Sequence, residues 1–168
     1  AMVVDGVRQK PIPQKSALQF GKPMYLYNVG SKQFFKGAND YDTRGSVGEI
    51  GYKVWVTQHL DEGGAWDNQS VIIKDSVENQ KAIKMTWAAA NGDLWVDWKD
   101  QADTLWAVQA QADDIYRLTV GAGNVNFSAE KFPDVYLGIK GAEAASNTRL
   151  YWNLEAADNF VDWYFVSE

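Results

Sequence analysis

From Tyr25 onward, short runs rich in Val, Ile, Tyr, Phe and Trp alternate with clusters of Gly, Asn and Asp. Within the runs the apolar period is two, and the spacing of long amphipathic helices is missing, so strands joined by turns are predicted. The stretch QADTLWAVQAQADD, from Gln101 to Asp114, is the richest in helix formers. There too Trp106 and Val108 alternate with small or polar residues, without a cap or an i, i+3, i+4 stripe, and the reading is strand.

Internal similarity organises these runs. Three segments open alike, at MYLYNVG (from Met24), SVIIKDSV (from Ser70) and IYRLTVG (from Ile115), and alignment on Tyr25, Val71 and Tyr116 gives spacings of 46 and 45 residues. Second strands follow at QFFKGA, KAIKMTW and VYLGIKG, and third strands at GSVGEIG, DLWVDW and TRLYWNL. Fourth strands close each unit at YKVWVTQ, TLWAVQAQ and VDWYFVSE. Twelve strands in three units of four, at about 24–69, 70–114 and 115–168, predict an all-β chain with the β-trefoil architecture. No unit can bury its own apolar face, whereas three around an axis can, and closure removes exposed sheet edges. A sandwich or jelly roll is the second choice, since it does not require near-equal repeat spacing.

Residues 1–23 read differently. They hold Arg8, Lys10, Lys15 and Lys22 against Asp5, and Pro11, Pro13 and Pro23 interrupt regular structure, so an irregular arm or linker is expected ahead of a domain at 24–168.

Composition narrows the chemistry. The 168 residues include no Cys, which excludes disulfides, thiolate metal sites and a cysteine nucleophile. A single histidine, His59, makes a Ser-His-Asp triad unexpected and a multi-histidine metal site impossible. Net charge of −6 argues against nucleic acid as a partner. No apolar run approaches the roughly 20 residues of a spanning helix. Neither a cofactor nor a metal is expected. Asp40, Asp42 and Gly45 mimic the opening of a calcium loop, but Gly51 stands where its bidentate acid is needed, and a turn held by Asx residues explains the stretch better. Phosphate-loop, dinucleotide and G-x-S-x-G motifs are absent. Paired carboxylates, as at Asp113-Asp114, support glycoside hydrolysis only in a deep cleft, and that remains a remote alternative. The unusual figure is aromatic content, 14% with 8 Trp.

The first unit, YLYNVGSKQFFKGANDYDTRGSVGEIGYKVWV, resembles a recurring module of secreted and surface proteins from gut-type Gram-negative bacteria. The matches are Tyr25 to Val29, Phe34 to Asn39, Thr43, Ser46, Val47 and Tyr136 to Gly138, with Trp106 and Trp163 as closing-strand tryptophans. The resemblance implies a ricin-lectin-like trefoil in an exported or cell-surface protein, commonly one piece of a longer chain, of a kind often presumed to bind carbohydrate. It carries no identified binding residues. The Gln-x-Trp signature of ricin-type lectins is absent, with Lys53-Val54-Trp55, Thr104-Leu105-Trp106 and Val161-Asp162-Trp163 in its place, which argues against galactose-type recognition.

Strand alternation separates core from surface aromatics. Val54 and Val56, Trp106 and Val108, and Trp163 and Phe165 are assigned to the core, as are Tyr25 and Tyr27, Val71 and Ile73, and Tyr116 and Leu118. In the third strands, Leu94, Val96 and Trp98 facing inward leave Asp93, Trp95 and Asp97 outward. Likewise, inward Leu150, Trp152 and Leu154 leave Arg149, Tyr151 and Asn153 outward. An aromatic plane flanked by carboxylate, amide or guanidinium groups suits a sugar ring, so these six are candidate ligand contacts; a covering loop or a one-residue register slip would remove them. Trp66, in the polar stretch DEGGAWDNQ, is a seventh candidate, either a stacking platform or a plug of the barrel end. The reading is a non-catalytic, monomeric binding module whose partner is a glycan. The alternative partner is another protein domain.

Overall fold

A computed structural model describes residues 3–4, 7–8, 12–37, 45–75, 81–87, 94–99, 104–120, 135–139, 148–151 and 160–168. Fourteen strands occur among them and no helix, hence none long and apolar enough to cross a membrane. Strands β1 (Val3–Val4) and β2 (Val7–Arg8) pair only with each other. The remaining twelve coincide one for one with the predicted runs. They are β3 (Pro23–Asn28), β4 (Gln33–Lys36), β5 (Ser46–Gly48) and β6 (Val54–Leu60) in the first repeat. The second contributes β7 (Trp66–Lys74), β8 (Ala82–Trp87), β9 (Leu94–Lys99) and β10 (Trp106–Ala110). The third contributes β11 (Tyr116–Val120), β12 (Val135–Ile139), β13 (Thr148–Tyr151) and β14 (Trp163–Ser167).

Six of these strands close a ring. Antiparallel pairings run β3–β6, β6–β7, β7–β10, β10–β11, β11–β14 and β14–β3, so each repeat gives its first and fourth strands to a barrel. The second and third strands form the hairpins β4–β5, β8–β9 and β12–β13. Six barrel strands with three hairpins around one axis are a β-trefoil.

Register identifies equivalent positions. Met24 pairs with Val54, Val71 with Trp106 and Tyr116 with Trp163, and all but the half-buried Tyr116 are buried. Leu26, Ile73 and Leu118 make the next opening-strand layer, and Val56, Val108 and Phe165 the matching closing-strand layer, all in one core cluster. Phe35, Ile83 and Leu137 from the second strands join them. The first repeat departs here from the sequence reading: Met24 and Leu26 enter the core, and Tyr25 and Tyr27 lie on the other face of β3. The core-facing equivalents of Val71 and Tyr116 thus start at Met24. Hydropathy does not separate the two faces of Met-Tyr-Leu-Tyr, so pairing with β6 and β14 decides. Tyr27 is nonetheless buried, edge-on to Phe34 at 5.0 Å and beside Tyr164 at 4.8 Å.

Two buried tryptophans brace the barrel against its cap. Trp106 Nε1 donates to the Ile83 carbonyl at 3.2 Å and Trp163 Nε1 to the Leu137 carbonyl at 2.9 Å, the same bond in two repeats. In the first repeat Val54 stands at this position, and the ring of Phe35 fills in, 6.0 Å from Trp163 and 5.4 Å from Trp98.

The segment 12–22 lies against the barrel. Ser16 N donates to the Phe165 carbonyl at 2.8 Å, Gly21 N to the Val56 carbonyl at 2.9 Å, and the Tyr164 hydroxyl to the Pro13 carbonyl at 2.7 Å. Leu18 and Phe20 pack on the core. Burial, reinforced by nearby Tyr27, pushes the Tyr164 hydroxyl up to about 12.

Candidate binding face

The third strands of the second and third repeats pair with each other. In the β9–β13 ladder Arg149 stands directly opposite Trp95, and Leu150 opposite Leu94. On the far side of β9, Thr86 of β8 is opposite Trp95. On the far side of β13, Gly138 of β12 is opposite Arg149, and Tyr136 is opposite Tyr151. Directly opposed residues share a face. Gly138, Arg149, Trp95 and Thr86 therefore form one row across four strands, with Tyr136 and Tyr151 in the next. Val96, Trp98, Leu137 and Ile139 belong to the core, so the backbone positions of this row alternate to the other side of the sheet, where Gly138 is itself buried. The two candidate stretches, on β9 and β13, are thus neighbours in backbone register across the seam between repeats.

The other candidates fall as follows. Asp97 does not lie on an open surface: it is 4% exposed, at a register position opposite Lys84. Asp93 and Asn153 lie outside the described residues, as do Trp152, Leu154 and the Asp40–Asp42 turn. Trp66 is half-buried at the start of β7 rather than in a loop. Its Nε1 donates to the Ser70 carbonyl at 2.8 Å, and its ring meets Phe20 edge-on at 5.1 Å. Its ring thus packs against the N-terminal segment. The sequence did not show it because Phe20 comes from the N-terminal segment.

Beside the seam lies a charged group that sequence reasoning missed. Arg117 Nε donates to Asp162 Oδ1 at 2.9 Å, and the guanidinium sits 6.0 Å from the centre of the Tyr136 ring, at the edge of cation–π range. Both charged side chains are mostly covered. Arg117 and Asp162 are 45 positions apart, so no local motif announces the pair.

A second missed feature is the loop between β5 and β6. Ile50 is 83% exposed and Tyr52 50%. A Cβ on Gly37 would come within 2.6 Å of the Tyr52 ring, and one on Gly51 within 2.8 Å of the Phe34 Cβ. Both glycines therefore let the loop lie close to its neighbours. Tyr52 also leans on Trp98, ring centres 6.3 Å apart.

The remaining chemical candidates have structural settings. Asp113 and Asp114 both have φ of 57° in the turn where Ile115 N donates to the Ala112 carbonyl, joining β10 to β11. Two successive left-handed residues are what a tight hairpin turn of the primed type demands. His59 lies on the surface, 3.8 Å from Asp67. Among the described residues, no group of His, Asp and Glu is arranged to hold a metal ion.

No known family model matches the chain, and no curated protein resembles it in sequence. Solved structures do share its fold. The ricin B-like lectin of Macrolepiota procera, solved in complex with lactose, is similar with a TM-score of 0.66 at 10% identity, over 91% of this chain and 100% of that one. ThreeFoil, a designed 3-fold symmetric protein, gives 0.60 at 13% identity, over 87% and 99%. A kallikrein inhibitor of Bauhinia bauhinioides, complexed with bovine trypsin, gives 0.60 at 12% identity, over 92% and 91%. Identities this low bear on the fold alone. A lectin and a protease inhibitor on one scaffold show that function must be argued from the surface.

Proposed function

We propose that this chain is a non-catalytic carbohydrate-binding module of an exported or cell-surface bacterial protein. The observation that carries the reading is the β9–β13 pairing, which sets Trp95 opposite Arg149 with Tyr151 two positions along. An aromatic plane takes the C–H face of a sugar ring, and a guanidinium donates up to five hydrogen bonds to its hydroxyls. The lectin neighbour and the bacterial surface module resembled by the first repeat point the same way. A non-catalytic role is supported by the settings of the acids and of the lone histidine: Asp113-Asp114 forms a turn, and His59 is on the surface.

Affinity electrophoresis through a panel of plant and mucin polysaccharides tests the reading. Retardation by at least one polysaccharide is expected, with loss in Trp95→Ala and Tyr151→Ala at unchanged melting temperature. Migration unaffected by every polysaccharide defeats the proposal, and glycoside turnover abolished by a single Asp or Glu change defeats its non-catalytic part.

A second reading, a protein-docking module, draws on Ile50 and Tyr52, since exposed aliphatic and aromatic side chains on a closely packed loop suit a protein pocket better than a sugar. Ile50→Asp should abolish capture of a protein partner and leave polysaccharide retardation unchanged.

A further inference from the structure

Independently of any ligand, we infer that the segment 12–22 is an exchangeable arm, and that its seat on the barrel accepts the same segment of a second copy. The seat is a gap in the ring. Among the described residues β11 meets β14 at one pair, Tyr116 with Trp163, so beyond Trp163 the outer edge of β14 lacks a barrel strand. The arm supplies one. Ser16 bridges to Phe165, its N–H donating to the Phe165 carbonyl at 2.8 Å, and the Pro13 carbonyl accepts from the Tyr164 hydroxyl. At the other end Gly21 N donates to the Val56 carbonyl. Between them Leu18 and Phe20 pack on the core, Phe20 edge-on to Trp66. A strand edge left open by the barrel invites pairing with a chain that fits, and here the fitting sequence is the protein's own.

The hinge favours exchange. It is short and conformationally demanding, with Gly21 at φ of 71° and Lys22 confined to extended backbone by Pro23, which starts β3. Short hinges held in a demanding conformation promote swapping, because the open form releases them. Charge favours a second copy as the occupant. Residues 1–23 hold Arg8, Lys10, Lys15 and Lys22 against Asp5, in a chain of net charge −6, so an arm reaching across meets a barrel of opposite sign. The contacts are the same whether the arm folds back on its own barrel or on its neighbour's. Protein concentration therefore decides between the closed monomer and the exchanged dimer.

Refolding the full chain from denaturant at low and at high protein concentration, followed by size-exclusion chromatography with light scattering, tests this. The dilute sample should be monomeric and the share of dimer should rise with concentration. A Cβ on Gly21 would meet nothing within 4 Å, so Gly21→Val acts on the hinge through φ alone and should raise the dimer's association constant about tenfold or more. Lengthening the hinge with Gly-Ser pairs between Lys22 and Pro23 should lower it. In dimers refolded from an equal mixture of isotope-labelled and unlabelled chains, a filtered NOE should join the Phe20 ring of one copy to the Trp66 ring of the other. Monomer at every concentration in both the parent and Gly21→Val overturns the inference, as does a dimer without that contact between copies. Should Gly21→Val fail to fold, the parent and the lengthened hinge decide on the same two readouts, and a dimer indifferent to hinge length overturns the inference.

Discussion

The Tyr164 hydroxyl donates to the Pro13 carbonyl across 151 positions of sequence, at 2.7 Å. This bond ties the N-terminal segment to the strand that closes the barrel, and Lys15 Nζ lies 6.0 Å from the same ring. Tyr164→Phe should cost about 0.5–1.5 kcal/mol, the net worth of one hydrogen bond, read from denaturant midpoints. An unchanged midpoint would mean that the Ser16 and Gly21 backbone bonds, with the packing of Leu18 and Phe20, hold the segment without it.

The same residue sets an alkaline limit. Its folded value, about 12, lies above the ordinary value of 10.0, so the unfolded chain gives up the proton first. The contribution of Tyr164 to stability is therefore complete below pH 10 and is lost as pH rises through about 12. Melting temperatures recorded across that window should fall less steeply in Tyr164→Phe than in the parent.

Trp163→Ala should be among the most damaging changes, about 3–5 kcal/mol, since it empties a fully buried site and strips the Leu137 carbonyl of its donor. Trp163→Phe separates the two effects. It keeps most of the ring volume, and a loss of about 1–3 kcal/mol would report the unsatisfied carbonyl.

Gly37, just after β4, and Gly51, in the β5–β6 loop, should respond differently to alanine. At Gly51 the obstacle is the Phe34 Cβ, close to backbone, and about 1–3 kcal/mol of strain is expected. At Gly37 the obstacle is the far end of the half-exposed Tyr52 ring, which can swing into solvent. Gly37→Ala, although at a buried position, should therefore cost less than Gly51→Ala and alter the near-ultraviolet signal of Tyr52 and Trp98.

Asp114→Gly should stabilise the chain by about 0.5–1 kcal/mol, because glycine adopts the left-handed conformation of this turn without a Cβ penalty. Thermal melts decide the sign.

What the sequence disclosed and what it hid divide along a physical line. Closing strands such as Trp106-Ala-Val108 were legible because apolar and small residues alternate there, so hydropathy alone orients the strand. Met24-Tyr-Leu-Tyr27 was misread by one residue because both faces are apolar, and only pairing with Val54 and Tyr164 settles which side is core. The opposition of Trp95 and Arg149, like the ion pair of Arg117 with Asp162, joins separate segments, and no spacing in the chain encodes it. The burial of Asp97 has the same origin, since alternation gives the face a residue occupies and not what lies over that face.

Met24 pairs with Ser167, and all five residues of β14 have partners on β3. The first and last ribbons of the barrel are thus hydrogen-bonded neighbours. During synthesis the ring stays open along one side until β14 has left the ribosome, with apolar residues such as Leu26 still lacking part of their cover. Whatever chaperone or translocation machinery handles this polypeptide meets it in that unlatched form.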